Sequence, residues 1–253
     1  MKKFLLILSI ALLTILFCGC DTQTENAVEV STQTTESTMT QWDKIVQRNE
    51  LRIGVPSTSD SFDNQLIDAF CKELEVTVTK VVLPRDESAT EAIQNGTVDM
   101  LWGQIPATAE TSSAYRLSTP YFNSTLLYIS KNPDLVLEQS TTVGVLKNSA
   151  EELSVGHFYH DIYTYSNKED LFYALNSGKC DVVLYNQVLY ENLPNKPKNL
   201  HIVKEVPYEL VVAFEHNNLS VCTEVERILA KIKADGTASE ICLKWYPKDL
   251  ITK

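Results

Sequence analysis

The chain has 253 residues, 44 % of them hydrophobic and 22 % charged, with 33 acidic side chains against 22 basic ones. Such a composition is globular and excludes a wholly disordered, collagenous or multi-pass membrane protein. The net charge of −11 disfavours binding to phosphate backbones, and the 8 glycines include no phosphate-loop spacing; the 6 cysteines are too scattered for a disulfide framework.

Lys2 and Lys3 precede an unbroken apolar run over 4–17, the two opening regions of a secretion signal. Fourteen residues fall short of the roughly 20 needed to span a bilayer. Leu16-Phe17-Cys18-Gly19-Cys20 follows and resembles a bacterial lipobox, with Gly19 as the small residue before a lipidated Cys20. The pattern predicts a signal peptide over 1–19 and a lipid anchor on Cys20 that holds the protein at the outer face of the plasma membrane. Residues 21–40 are rich in Thr, Ser, Gln and Glu and lack aromatics, so 20–40 is expected to be a flexible tether.

Globular patterning begins at Gln41. Leu51-Arg-Ile-Gly-Val55 predicts a strand, and Leu66, Ile67, Phe70, Cys71 and Leu74 recur at helical spacing over 65–74. A second strand is expected over 76–83. A helix should then close at Gly96, in the left-handed cap position, followed by a strand over 98–102. Near the end of the chain, Val225, Ile228, Leu229 and Ile232 share one face of a helix over 221–234. Asp235-Gly236 breaks it, and a last helix is expected over 239–245.

The sequence also repeats itself. Ala92-Ile-Gln-Asn-Gly-Thr-Val-Asp-Met100 is echoed by Ala174-Leu-Asn-Ser-Gly-Lys-Cys-Asp-Val182, and Leu51–Val55 by Thr142-Val-Gly-Val-Leu146. A period of 82–90 residues is too long for a solenoid and suits two similar α/β units with a cleft between them. The alternative is two unrelated helix–Gly–strand units within a single sheet. Asp99 and Asp181, each opening a strand, read as scaffold.

With these motifs in order, the chain resembles the bacterial extracellular solute-binding proteins of family 3, which serve polar amino-acid ABC importers. The resemblance covers about 42–248. It rests on Leu51–Val55, Asn95-Gly-Thr-Val-Asp99, Leu117-Ser-Thr-Pro-Tyr-Phe122, Val143-Gly-Val145, Ser177-Gly-Lys-Cys-Asp181, Lys233-Ala-Asp-Gly-Thr237 and Lys244-Trp-Tyr246. It implies a two-lobed α/β clamshell of the periplasmic-binding-protein-like type II, each lobe a mixed sheet flanked by helices. A solute-binding domain would occupy 41–253, with lobe one at 41–123 and 212–253 and lobe two at 124–211. The implied partners are a small-molecule solute and an ABC permease, with membrane contact through the lipid anchor. A monomer without cofactor, metal, nucleic acid or enzymatic activity is expected.

The resemblance breaks at the site. An ungapped comparison puts Thr111 where family members carry the arginine that grips an α-carboxylate, and Asn186 where they carry the acid that holds the ammonium. A hydroxyl cannot replace a bidentate guanidinium, nor an amide a counter-charge. Pro106 stands where a backbone N–H usually meets the carboxylate, and the loop over 56–62 is short; a one-residue gap would instead make Gly103 the family's loop glycine. Loss of both partners is coherent, because one buried charge without the other is costly. The expectation is a cleft that takes a small polar solute other than a standard α-amino acid. It would be lined by Ser57, Phe62, Trp102, Gln104, Thr108 and Thr111 from lobe one, and by Lys147, Asn148, Ser149 and Asn186 from lobe two. Trp102 would stack on a solute or else pack in the core; Lys147 would hold an anionic group or else remain a solvated loop lysine. A degenerate or ligand-sensing clamshell without transport is the second reading, and an enzyme on the same fold the third.

Other constellations carry less. His157 and His160 lie three residues apart with no third metal ligand spaced beside them. Cys222 and Cys242 would come within disulfide reach if the turn at Gly236 folds their helices together, whereas Cys71 and Cys180 read as buried hydrophobes.

Overall fold

A computed structural model describes residues 39–84, 87–156 and 158–253. The expected signal peptide, Cys18, Cys20, nearly all of the expected tether and His157 lie outside these residues.

Thr40, the last residue of the expected tether, caps α1 (Gln41–Arg48) by a reciprocal pair of hydrogen bonds with Asp43. There follow β1 (Glu50–Val55), α2 (Phe62–Cys71), β2 (Thr77–Val82), α3 (Glu87–Gln94), β3 (Met100–Leu101), α4 (Ala109–Ala114) and β4 (Arg116–Leu117). The chain then enters β5 (Phe122–Ser130), β6 (Val143–Leu146), α5 (Ala150–Val155), β7 (Ile162–Tyr165), α6 (Lys168–Ser177), β8 (Val182–Asn186), α7 (Gln187–Glu191) and β9 (His201–Leu210). It ends with β10 (Ala213–Phe214), α8 (Leu219–Ala234) and α9 (Thr237–Trp245).

The strands form two five-stranded sheets, ordered β2-β1-β3-β10-β4 and β7-β6-β8-β5-β9. Each has a parallel trio with its first strand in the middle, and antiparallel strands complete it. The protein is therefore a two-lobed α/β clamshell of the type II periplasmic-binding-protein kind, with a mixed sheet flanked by helices in each lobe. The two-unit reading of the internal repeat holds at the level of topology, and the single-sheet alternative does not.

The repeated residues do the same work twice. Gly54 and Gly144 sit in the central strands, where a Cβ would come within 2.7 Å of Leu101 and 3.1 Å of Cys180 respectively. Gly96 and Gly178 both have φ of +74°, the left-handed conformation that ends a helix. Asp99 accepts the Arg52 backbone N–H at 2.8 Å and pairs with the Arg48 and Arg52 guanidinium groups. Asp181 accepts the backbone N–H of Thr142 at 2.9 Å and its hydroxyl at 2.7 Å. Both acids tie adjacent strand starts together, as scaffold residues should.

One helix starts earlier than its periodicity implies. Ser61 caps α2 by accepting the Asn64 N–H at 3.2 Å, so the helix opens at Phe62 rather than Gln65 and closes at Cys71. The shift brings Phe62 and Asp63 into the first turn, where both are buried. The two lobes are joined along β5 and β9, whose antiparallel register opens with Phe122 opposite Leu210. At that junction Phe62, Phe122 and Tyr246 form a ring cluster with centroid separations of 5.1–5.8 Å, and Tyr208 packs edge-on against Phe122 at 6.1 Å.

The Cys222–Cys242 disulfide that the sequence left open is not formed. Both thiols are free and buried, with Cys242 Sγ accepting the Leu250 N–H at 3.3 Å and Cys222 Sγ directed at the Leu117 carbonyl at 4.0 Å. Each sulfur is thereby directed at a separate backbone group, Cys242 at one eight residues on and Cys222 at one on β4. Among the described residues no helix is long and apolar enough to cross a membrane.

The left-handed caps give a direct test of the repeat. Gly96→Ala and Gly178→Ala each place a Cβ in open space but in a disfavoured conformation. Each should cost about 1 kcal/mol, and the double variant about the sum, in urea-unfolding midpoints.

Candidate functional site

The seam between the lobes is built from two short stretches that face each other. From the first lobe comes 102–108, between β3 and α4; from the second comes 148–154, the turn before α5 and the helix itself. Two cavities lie on this seam. The larger, about 240 Å³, is lined by Ser57, Asp63, Trp102, Gln104 and Asn148 among others. The smaller, about 70 Å³, is lined by Thr108, Ser154, Tyr208 and Glu209 among others. No Lys, Arg or His contributes to either wall.

Gln104 joins the lobes. Its Nε2 donates to Asp63 Oδ2 at 2.6 Å, and its Oε1 accepts the Ala150 N–H at 3.3 Å. The residue adopts a left-handed backbone with φ of +59°, uncommon for a side chain without a short polar group. Asp63 is 4 % exposed, and its other oxygen accepts the Tyr121 hydroxyl at 2.7 Å. A buried carboxylate needs such donors, because stripping its hydration is otherwise costly.

A second buried acid stands on the opposite lobe. Glu151, in the first turn of α5, is 8 % exposed and pairs with no basic residue among those described. Burial pushes its carboxyl above the ordinary range, opposed by hydrogen bonds from its own N–H, from Ser149 and from the Asn186 N–H. Burial also raises the Tyr208 and Tyr246 hydroxyls, and the negative charges of Glu151 and Asp63 push both further up. Asp63 and Glu151 therefore lie within electrostatic reach of the same two phenols at the lobe junction.

Of the ten expected lining residues, the fold brings Ser57, Trp102, Gln104 and Asn148 together on the larger cavity. Trp102 is fully buried and meets Phe70 edge-on at 5.0 Å, so its ring packs in the core behind that wall. Phe62 belongs to the ring cluster, and Thr108 lines the smaller cavity. Thr111, Lys147, Ser149 and Asn186 line neither. Thr111 closes the α4 capping box with Thr108 and donates to the Pro106 carbonyl at 2.6 Å. Asn186 caps α7, its Oδ1 accepting the Val188 and Leu189 N–H groups at 3.0 and 3.3 Å while its Nδ2 donates to Ser124. Ser149 caps α5, and Lys147 is exposed.

Sequence reasoning missed Asp63, Glu151, Tyr208 and Tyr246. An acid in a helix's first turn reads as a surface complement to the helix dipole, so neither carboxylate announced its burial. The Ser61 cap was the one available signal for Asp63. Among the described residues no group of three or more His, Cys, Asp or Glu is placed to hold a metal ion.

Fold and site together define a two-lobed binding protein whose seam encloses a small, acidic, partly aromatic space. A family model for bacterial extracellular solute-binding proteins, family 3, matches residues 60–248, and the chain belongs to that family. It is 24 % identical to the putative ABC transporter arginine-binding protein 2 of Escherichia coli (strain K12), over 74 % of this chain and 82 % of that protein. To the ABC transporter glutamine-binding protein GlnH of Bacillus subtilis (strain 168) it is 23 % identical, over 98 % of this chain and 99 % of the relative. Among solved structures it superposes on an ABC uptake transporter substrate-binding protein from Streptococcus pneumoniae with bound histidine. That match has a TM-score of 0.64 at 19 % identity and covers 84 % of this chain and 98 % of that one. The protein is thus a solute-binding protein of the ABC-transporter type.

Glu151 gives a pH test. Its folded pKa lies above the ordinary value of 4.5, so the stability of the protonated form is complete below that pH and is lost as pH rises through the folded pKa. Glu151→Gln removes the loss. Relative to this variant, the wild-type thermal midpoint should fall as the pH rises above about 4.5. The nearby tyrosines titrate above this window. Parallel melting curves across pH 4–8 check it, and a constant difference between the two proteins would contradict it.

Proposed function

We propose that this protein is a lipid-anchored, extracytoplasmic receptor that captures a small polar solute lacking the α-amino-acid head group, and delivers it to an ABC permease. The observation that carries the reading is the commitment of Thr111 and Asn186. Both stand where the family resemblance puts the carboxylate and ammonium anchors, and both have their polar atoms bonded within helix caps. Neither is free to replace a charged anchor. The segment around Pro106 is likewise committed, with Ala107 N–H donating to the Glu209 carbonyl at 2.9 Å.

In this reading Ser57, Gln104 and Asn148 meet the solute directly, Trp102 backs their wall from the core, and Thr108 meets the far end of the seam. The binding domain runs over 41–253, with lobes at 41–123 plus 212–253 and at 124–211, and works as a monomer. Anchoring rests on the lipobox-like Leu16–Cys20 and the polar run after it. Two attachments to the membrane region, lipid and permease, would keep the loaded receptor close to its exit.

Two measurements test this. With the full-length protein in mild detergent, glutamine, arginine, histidine and cystine at millimolar concentration should leave the thermal midpoint within about 1 °C, since a ligand that is not bound contributes no linkage stabilisation. A clear saturable rise with any of them would refute the loss of the anchors. In cells fed a radiolabelled fatty acid, Cys20→Ser should abolish labelling and release the protein into the soluble extracytoplasmic fraction; retained label would refute the anchor.

A further inference from the structure

We propose that the side chain of Gln104 is a built-in latch, which ties the two lobes through the chain's own atoms and favours a shut seam whether or not a solute is bound. The inference goes beyond the choice of solute, and it stands separately from the loss of the amino-acid anchors.

Three observations carry it. The first is the reach of the side chain. Gln104 belongs to lobe one, whereas Ala150 opens α5 of lobe two, an element distinct from the crossing strands β5 and β9. Nε2 donates to Asp63 Oδ2 at 2.6 Å, which fixes the amide on its own lobe. Oε1 then accepts the Ala150 N–H of the other lobe at 3.3 Å. A carboxamide both donates and accepts, so one side chain serves the two lobes at once.

The second is what α5 requires. The first N–H groups of a helix have no partner within it and must find one elsewhere. In α5 the Glu152 N–H goes to Ser149 Oγ at 3.2 Å and the Leu153 N–H to the Ser149 carbonyl at 3.4 Å. Glu151 N–H is held by the residue's own carboxylate. Ala150, wholly buried, takes its acceptor from the opposite lobe. Parting the lobes breaks that bond, so opening acts on one identifiable buried group.

The third is the backbone on either side of the seam. Gln104 has φ of +59° and Asn148 φ of +57°, and the two line the larger cavity from opposite lobes. Asparagine visits this left-handed conformation readily, but glutamine lacks the short polar side chain that favours it. Such a conformation persists where its surroundings over-determine it. The bonds to Asp63 and Ala150 are the surroundings that do so here.

A neutral hydrogen bond of this kind biases a two-state equilibrium by about tenfold at most. The latch therefore favours closure without locking it, and the open form remains accessible to a solute. A solute has two ways in. It fits within the cavity of about 240 Å³ beside the tie, or it breaks the tie and takes over the bridging.

The distance between the lobes tests the proposal. Full-length protein in mild detergent is unfolded, dialysed and refolded to remove any solute carried through purification. It is then spin-labelled at Lys72 and Asn176, exposed positions on the first and second lobe, through ketone-bearing residues introduced there. Pulsed electron–electron resonance should give the inter-lobe distance of this structure as the main population. Gln104→Gly keeps the left-handed backbone, and Gln104→Asn is one methylene too short to reach both partners. Each should lower the closed-to-open ratio about three- to tenfold, and either variant that folds decides the point. Propionamide, the detached end of the lost side chain, should restore the closed distance in Gln104→Gly at tens of millimolar and leave the wild type unchanged. N,N-dimethylpropionamide has no N–H to donate and should not restore it. A wild type that is mainly open overturns the proposal, as does an unchanged closed fraction in a folded variant. Opening that propionamide fails to reverse also overturns it, because the side chain would then hold the lobes by shape rather than by its two hydrogen bonds.

Discussion

The seam depends on the satisfaction of one buried carboxylate. Asp63 lies under the first turn of α2, almost wholly out of water, and each of its oxygens takes a neutral donor, Tyr121 and Gln104. Leaving either oxygen bare would cost on the order of 1–3 kcal/mol. That demand holds Gln104 in a left-handed backbone and turns its carbonyl outward, where the second lobe supplies the Ala150 N–H. The contact between the lobes is thus a consequence of burying an acid within one of them. Tyr121 completes the chain of effects, since its ring also packs beside Trp102 and Phe62 in the core.

The two lobes are one design used twice and then made different. Both have a glycine in the central strand, a left-handed glycine behind the helix, an aspartate that ties two strand starts, and a capped short helix after the third parallel strand. In both lobes the cap uses the residue that the family resemblance assigns to solute contact. Thr111 bonds Thr108 and Pro106, and Asn186 bonds two backbone N–H groups and Ser124. A side chain whose donors and acceptors are all used locally stabilises the scaffold but has nothing left to offer a ligand. The two buried acids, Asp63 and Glu151, stand on α2 and α5, two helices earlier in each repeat.

Acidity has two meanings in this molecule. Most of the excess Asp and Glu is solvated and says little about the ligand. Asp63 and Glu151 are different, because burial raises the energetic stake of every charge near them.

The sequence by itself determined the class of fold and the doubled unit. Those follow from local rules: a strand's side-chain alternation, a helix's apolar face and the left-handed glycines at 96 and 178. It placed four of the lining residues on the larger cavity because they lie in the turns after β1, β3 and β6, where such a fold opens its cleft. It did not reveal that α2 starts at Phe62, that Cys222 and Cys242 stay apart, or that Asp63 and Glu151 are both buried at the lobe junction. Those residues are separated by dozens of positions, and their burial comes from packing between elements rather than from any neighbour in the chain. Tertiary structure alone decided which acids lost their water, and with that which acids matter.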